Sequence, residues 1–552
     1  MVDSGLNNSK AHELAKSQRE ISIAEFFERN RHLLGFDNKR KALLTTIKEA
    51  VDNSLDACEE ADILPEIIVE ITEMGADRFR VAIEDNGPGI VKEQIPKIFA
   101  KLLYGSKFHK MKMQRGQQGI GISAAVMYSQ LTTGKPARII SKIGAGHPAL
   151  YYELKINTQT NNPEIISEHV KDWGKESGTR IEIDLEASYN KGRQSVDEYI
   201  RETAIINPHV TLIYQPPKGE QLMLVRVTEK KPVQPVEIKP HPYGVEMGML
   251  IKMLQVTTAK TVKQFMKEDF SRVSDKVAEE ILENAQVLSK TKPKNVTREM
   301  AERIIEGIRN TKIMMPPTDC IVPIGSELLE RGLKKEINAE FYATVSRTPN
   351  VYRGNPFLVE ASLAYGGDIP SEGGIEVMRF ANKVPLLYQQ GACAINESVC
   401  QTNWKSYGLQ QSGSNLPQGP LVLVVHIASV WVPFTSEAKE AIAHYPEIIK
   451  EIKLAIQEVG RDLGRYVNKK KKVKDEMKKR SYIETYIPHI SEALKDILAL
   501  SDFAESDIKD NLSYLLEHTR GKLDNLEFNP EANTEYDENL ARIGREEEER
   551  DE

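Results

Sequence analysis

The stretch that most constrains this chain runs from Lys48 to Ala57 and reads K-E-A-V-D-N-S-L-D-A. At about 100° per residue on a helix, Glu49, Asp52, Asn53 and Asp56 fall within roughly 100° of one another. Leu43, Leu44, Ile47, Val51, Leu55 and Cys58 gather on the opposite side. One face is written for a core and the other carries oxygen. Three carboxylates and a carboxamide on one stripe repel each other, so the arrangement calls for a cation and a polar ligand over them. Taken alone, such a stripe is more often a solvated helix face.

Two further clusters change that balance. After a strand expected over Phe79 to Glu84 comes Asp85-Asn86-Gly87-Pro88-Gly89, too rich in turn formers to continue the strand. Gly116-Gln117-Gln118-Gly119-Ile120-Gly121 then enters an apolar helix, Ile122 to Met127. A flexible loop that delivers backbone N–H groups to a helix N-terminus cradles phosphate. No Walker-type G-x-x-x-x-G-K-[S/T] string competes with it.

In this order and spacing the motifs resemble the GHKL ATPase superfamily: gyrase-type topoisomerases, MutL mismatch-repair proteins, heat-shock chaperones of the ninety-kilodalton class and sensor histidine kinases. The first motif matches Glu49 to Ala57, the second Asp85 to Gly89, the third Gly116 to Gly121, and the last Gly178-Thr179 before a strand from Arg180 to Leu185. The resemblance implies ATP and Mg²⁺ as cofactors. It implies Glu49 as the general base, Asn53 as the metal ligand and Asp85 as acceptor for the adenine amino group. Gly87, Gly89, Ser106, Lys107, Gly116, Gln117, Gln118, Gly119, Ile120, Gly121, Ile122, Ser123 and Thr179 are the remaining nucleotide-binding positions that it implies.

The 552 residues leave room for three or four domains, each with its own core. The order of patterns suggests an arm at 1–20, an ATPase domain at 21–230, a helical insert at 231–315, an α/β domain at 316–470, and a helical stalk with an acidic tail at 471–552. Within the second of these, helices are expected at Ile21 to Leu34, Lys39 to Glu60 and Val196 to Ile206. Strands are expected at Glu66 to Thr72, Phe79 to Glu84, Ala137 to Lys142, Leu150 to Ile156, Thr179 to Leu185, Val210 to Tyr214 and Leu222 to Val227. This is an α/β sandwich with a largely antiparallel sheet. The proline-rich Pro232 to Pro242 reads as a linker. Helical spacing follows at Val245 to Leu254, Ala259 to Phe265, Asp275 to Leu288 and Val296 to Arg309, with Ser274 as an N-cap.

From Pro316 strands return. Phe357, Val359, Ala361, Leu363 and Tyr365 alternate as in a half-buried strand, whereas Leu421 to Ala428 suits a central, doubly covered one. In Trp431 to Lys439, Thr435 or Ser436 could cap a helix with Lys439 in its first turn, where a cation opposes the helix dipole unless an anion is near. Ile448, Ile449, Ile452, Ala455, Ile456, Val459, Leu463 and Val467 define a long amphipathic helix that Pro446 kinks or starts.

The succession of arm, ATPase, helical insert and transducer, up to about Leu500, is similar to the type IIB topoisomerases. The expected fold is therefore α+β multidomain: a GHKL (Bergerat) α/β-sandwich ATPase domain, an all-helical helix-two-turn-helix insert, and an α/β transducer with a long C-terminal helix. That resemblance implies a homodimer formed on ATP binding that closes on double-stranded DNA, and a separate A subunit that cuts and rejoins a second duplex in an A2B2 heterotetramer. It also places Lys439 in a catalytic role at the ATP γ-phosphate. The chain has no D-x-D pair for the Mg²⁺ of strand cleavage, and none of its 19 tyrosines stands out as a nucleophile. A MutL-like repair clamp and a chaperone-like ATP clamp are the alternatives, and the helical insert favours the topoisomerase over both. With a net charge of −7 and a pI near 6.0, DNA contact must use a local patch. Cys58, Cys320, Cys393 and Cys400 lack C-x-x-C pairing, and no apolar run approaches about 18 residues, so a cytoplasmic protein without a membrane span is expected.

Overall fold

The computed structural model describes residues 21–520 apart from 33, 106–109, 117, 118, 437 and 500, together with Lys10 and Leu14. The rest of the expected arm, Ser106, Lys107, Gln117, Gln118 and the acidic tail lie outside the described residues. Helix α1 (Ile23–Arg29) precedes α2 (Lys39–Glu60), which spans the expected range. Asn38 starts α2 by accepting a hydrogen bond from Lys41 N at 2.8 Å. There follow β1 (Glu66–Gly75), β2 (Arg78–Asp85), α3 (Ile95–Ala100), α4 (Gly121–Thr133), β3 (Ala137–Lys142), β4 (Ala149–Ile156), β5 (Pro163–Lys171), β6 (Gly178–Glu186), α5 (Val196–Ile206), β7 (Thr211–Gln215) and β8 (Leu222–Leu224).

The strands form one eight-stranded sheet in the order β5-β4-β3-β6-β2-β1-β7-β8, antiparallel except for the β1–β7 pair. Its inner face packs on α2 and α4, so Ile47, Val51 and Leu55 share a core with Val69, Ile83 and Ile183. Arg80 on β2 pairs with Asp184 on the neighbouring β6, and Arg180 on β6 reaches across β2 to Glu70 on β1. Strand β5 carries no burial alternation and leaves Ile165, Ile166 and Val170 exposed at the sheet edge, which is why periodicity does not reveal it.

The Pro232 to Pro242 stretch is held down along its length: Val236 N donates to the Asp319 carbonyl, Ile238 N to the Met111 carbonyl, and the Pro240 carbonyl accepts from Ser271 N. Beyond it, α6 (Met247–Val256), α7 (Val262–Asp269), α8 (Asp275–Asn284) and α9 (Arg298–Asn310) close a core of their own around Phe265, Ile281 and Ile304. Ser274 caps α8, accepting from Val277 N at 3.3 Å.

Next come α10 (Ser326–Glu336), β9 (Phe341–Ser346), β10 (Asn350–Tyr352), β11 (Asn355–Tyr365), β12 (Glu376–Ala381), β13 (Val384–Pro385), α11 (Ala394–Gln401), β14 (Leu421–Ser429), α12 (Pro446–Leu498) and α13 (Asp502–Arg520). The second sheet runs β10-β11-β14-β12-β13, with β9 also on β11. Strand β14 is buried throughout, as expected of a central strand. Strand β11 is buried on both faces rather than one. Its polar positions imitate a solvent-facing alternation but are satisfied internally. Glu360 accepts from Ile324 N at 3.0 Å and Gly325 N at 2.8 Å, while Ser362 pairs with Thr344 at 2.6 Å. One face is covered by α12, which Pro446 starts, and the other by α10 and the end of α5. Helix α10, not expected from the sequence, approaches α5 so closely that a Cβ on Gly332 would stand 2.3 Å from the Ile205 carbonyl oxygen. The two sheets are thus joined through one shared layer. Among the described residues no helix is long and apolar enough to cross a membrane.

Candidate functional site

A cavity of about 690 Å³ opens between α2, the β2–α3 turn, the entry to α4 and two loops of the second sheet. The volume is in the range of small-ligand sites. Glu49, Asn53, Asp85, Gly89, Gly116, Gly119, Ile120, Gly121, Ile122, Thr179 and Lys439, all singled out by sequence, line it. Gly87 and Ser123 do not: Gly87 N donates to Asp85 Oδ1 from behind, and the Ser123 hydroxyl turns back to the Ile120 carbonyl.

At one end stands Asp85, the last residue of β2. Ser54 Oγ donates to its Oδ2 at 2.8 Å, and Gly87 N and Thr179 N donate to its Oδ1 at 2.9 and 3.1 Å. Burial pushes its pKa up, against the three hydrogen bonds, which stabilise the carboxylate. The turn behind it is fixed by Asn86, which accepts from Glu66 N and donates to the Leu64 carbonyl. Gly178 is required here, since at φ +134° a Cβ would meet the Asp85 carbonyl oxygen at 2.1 Å.

At the other end the oxygen stripe of α2 divides. Asn53 is exposed toward the cavity, and the Glu49 carboxylate lies against the start of α4. A Cβ on Gly121 would come within 1.7 Å of Glu49 Oε2, so this glycine makes room for the carboxylate as much as for a ligand. Helix α4 has no side-chain cap, and Gly119 precedes it at φ +58°, leaving first-turn amides to meet an anion. Asp52 and Asp56 turn away. Asp52 accepts from the Tyr199 hydroxyl at 3.0 Å; burial pushes its pKa up to about 6, against the opposing pull of the Lys48 ammonium. Asp56 accepts from Arg115, whose guanidinium also grips Glu59 and Asn207. The cation that the stripe calls for is therefore in part the protein's own Arg115.

Lys439 comes from the second sheet's side. It is 9% exposed and its Nζ donates to the Arg115 carbonyl at 3.2 Å, next to Gly116. It does not sit in a helix. Residues around it form a loop closed by the Phe434–Ile442 bridge and by Thr435 N donating to the Ala441 carbonyl, with Lys439 itself at φ +53°. Tertiary contacts override a run, E-A-K-E-A, whose local preference is helical. Lys48, at the head of the first motif, also lines the cavity, as do Lys41, Pro385, Leu387, Tyr388 and Glu440, which no motif marks. Among the described residues no group of three His, Cys, Asp or Glu could hold a metal. A cation here would rest on the Asn53 carboxamide and on ligand oxygens.

A cavity with a buried acceptor carboxylate at one end, and a glycine-flanked helix N-terminus beside a free carboxamide at the other, has the features of a nucleotide site. Residues 38–188 match the family described as histidine kinase-, DNA gyrase B-, and HSP90-like ATPase, and residues 316–479 match the topoisomerase VI B subunit transducer. The class is thus an ATPase domain joined to a transducer. The type 2 DNA topoisomerase 6 B subunit of Methanococcoides burtonii is 52% identical over 489 residues, covering 88% of this chain and 79% of that protein. Those of Methanosarcina barkeri and Archaeoglobus fulgidus are 51% and 49% identical, over 91% and 88% of this chain and 80% of each relative. The chain belongs to the family of type 2 DNA topoisomerase 6 B subunits.

Proposed function

We propose that this chain is the ATP-binding and hydrolysing subunit of a type IIB DNA topoisomerase. Two copies close on a DNA duplex when ATP binds, and a separate A subunit makes the double-strand break through which it passes. The observation that carries this reading is that one cavity is built from both the ATPase domain and the transducer. A ligand filling it ties the two together.

In this reading Asp85 accepts the adenine amino group. A guanine presents a carbonyl there, so it is rejected by two acceptors facing each other. The N–H groups of the Gly119–Gly121 turn and the first turn of α4 hold phosphate oxygens. Asn53 would hold Mg²⁺, which neutralises phosphate charge when bound. Glu49, beside the α4 N-terminus, orients the attacking water and takes its proton. Lys439 donates to the γ-phosphate, a contact that ADP lacks, so ATP alone draws the transducer onto the ATPase domain.

The test is relaxation of supercoiled DNA by this chain mixed with its A subunit. Relaxation that needs both chains and ATP supports the reading, and relaxation without ATP refutes it.

A further inference from the structure

Beside Lys439, the transducer makes a second contact with the ATPase domain, and this one is ionic. Glu440 is 5% exposed and pairs with Lys41 of α2, itself 9% exposed and about two turns before Glu49. The other Glu440 oxygen accepts from Gln389 Nε2 at 2.6 Å. Lys41 also pairs with Asp37 at 3.1 Å, and its Nζ lies 5.4 Å from the Tyr388 ring centroid. Burial works against the Lys41 charge, and the Glu440 carboxylate overrides it.

Exposed ion pairs contribute little, and a buried pair is no more stable than apolar packing. What a buried pair supplies is geometry, because neither charge can be left alone out of water. Here the geometry is needed. Lys439 is held at φ +53°, a conformation unfavourable for a lysine, and only its surroundings maintain it. On one side Lys439 N donates to the Ser436 carbonyl at 3.1 Å. On the other, its neighbour Glu440 is pinned to α2. We propose that the Lys41–Glu440 pair is an interdomain latch that sets where the Lys439 ammonium stands, which makes Lys41 and Glu440 positioning residues for the γ-phosphate contact. The inference rests on the reading of Lys439 given above.

The latch is tested by a double-mutant cycle in the full chain: Lys41→Met, Glu440→Gln and both together. The readout is the ratio of affinities for a non-hydrolysable ATP analogue and for ADP, by titration calorimetry. Wild type prefers the analogue. Each single change lowers that preference about tenfold, the size of one charge-assisted contact. The double change lowers it no further than either alone, because the pair acts as one unit. The double variant leaves no unpaired buried charge, so it folds even where a single one does not, and it must then show the loss by itself. Losses that multiply, or a preference unchanged in all three, overturn the latch. So does Lys41→Met weakening ADP and analogue alike while Glu440→Gln weakens neither, which would make Lys41 a direct nucleotide ligand. A wild type without the preference overturns the Lys439 reading and the latch together.

Discussion

The two ends of the cavity are built on different principles. At the Asp85 end every contact comes from the ATPase domain: Ser54 on α2, Gly87 in the turn and Thr179 on β6 satisfy one buried carboxylate. At the Lys439 end the contacts cross between domains, the backbone is in a left-handed conformation, and the Nζ rests on a main-chain carbonyl beside the glycine loop. A closed, fully satisfied set recognises but does not change. A strained set that spans two domains has a second arrangement open to it, and a ligand that favours one arrangement shifts the balance. The Asp85 end should therefore treat ATP and ADP alike, and the Lys439 end should tell them apart.

The largest effect that separates the ends is on turnover. Glu49→Ala should cut ATP hydrolysis by about a hundredfold or more while ATP still binds; phosphate release by this variant at the wild-type rate would remove Glu49 from the base role. Gly178→Ala should cost about 3 kcal/mol of stability, since its Cβ meets the Asp85 carbonyl at 2.1 Å. In calorimetry it should weaken ADP and analogue equally. A selective loss of the analogue would mean that the ends are not independent.

Asp52, which turns from the cavity toward Tyr199, gives α2 a pH signature. Its pKa is 3.8 as a free side chain and about 6 in the fold, so the native state binds the proton more tightly. The stability this contributes is full below pH 4 and lost as pH rises through 6, up to about 2 to 3 kcal/mol. Asp52→Asn keeps an acceptor for Tyr199 and should flatten denaturant midpoints between pH 4 and 6; a slope equal to that of wild type would contradict this. The smallest effect belongs to Ser54→Ala, which removes one of three hydrogen bonds to Asp85. It should cost about 1 kcal/mol in affinity for either nucleotide, and a loss confined to the analogue would break the symmetry claimed for that end.

Much of this site is legible in the sequence because its parts are local. The periodicity of Leu43 to Cys58 places α2, and Asp85 to Gly89 and Gly116 to Gly121 announce a turn and a cradle. What escapes depends on distance. Asp56 reads as a ligand-facing oxygen because its partner Arg115 lies far along the chain. Lys439 reads as helical because the Phe434–Ile442 bridge cannot be seen in E-A-K-E-A. Lys41 and Glu440 carry no pattern at all, since a lysine at a helix start and a glutamate in a loop are ordinary until folding brings them together. Helix α10 is hard to see because Gly332 lowers its helical propensity, and the close approach to Ile205 explains that glycine.

The central claim is that Lys439 converts the γ-phosphate into closure. Sedimentation of wild type and Lys439→Ala, each with ADP and with a non-hydrolysable ATP analogue, tests it most directly. A charge-assisted contact corresponds to roughly a ten- to hundredfold bias toward the closed dimer. Wild type should dimerise with the analogue and stay monomeric with ADP, while Lys439→Ala should need at least about tenfold more protein to dimerise with the analogue. Equal dimerisation of the two proteins with the analogue would contradict the account.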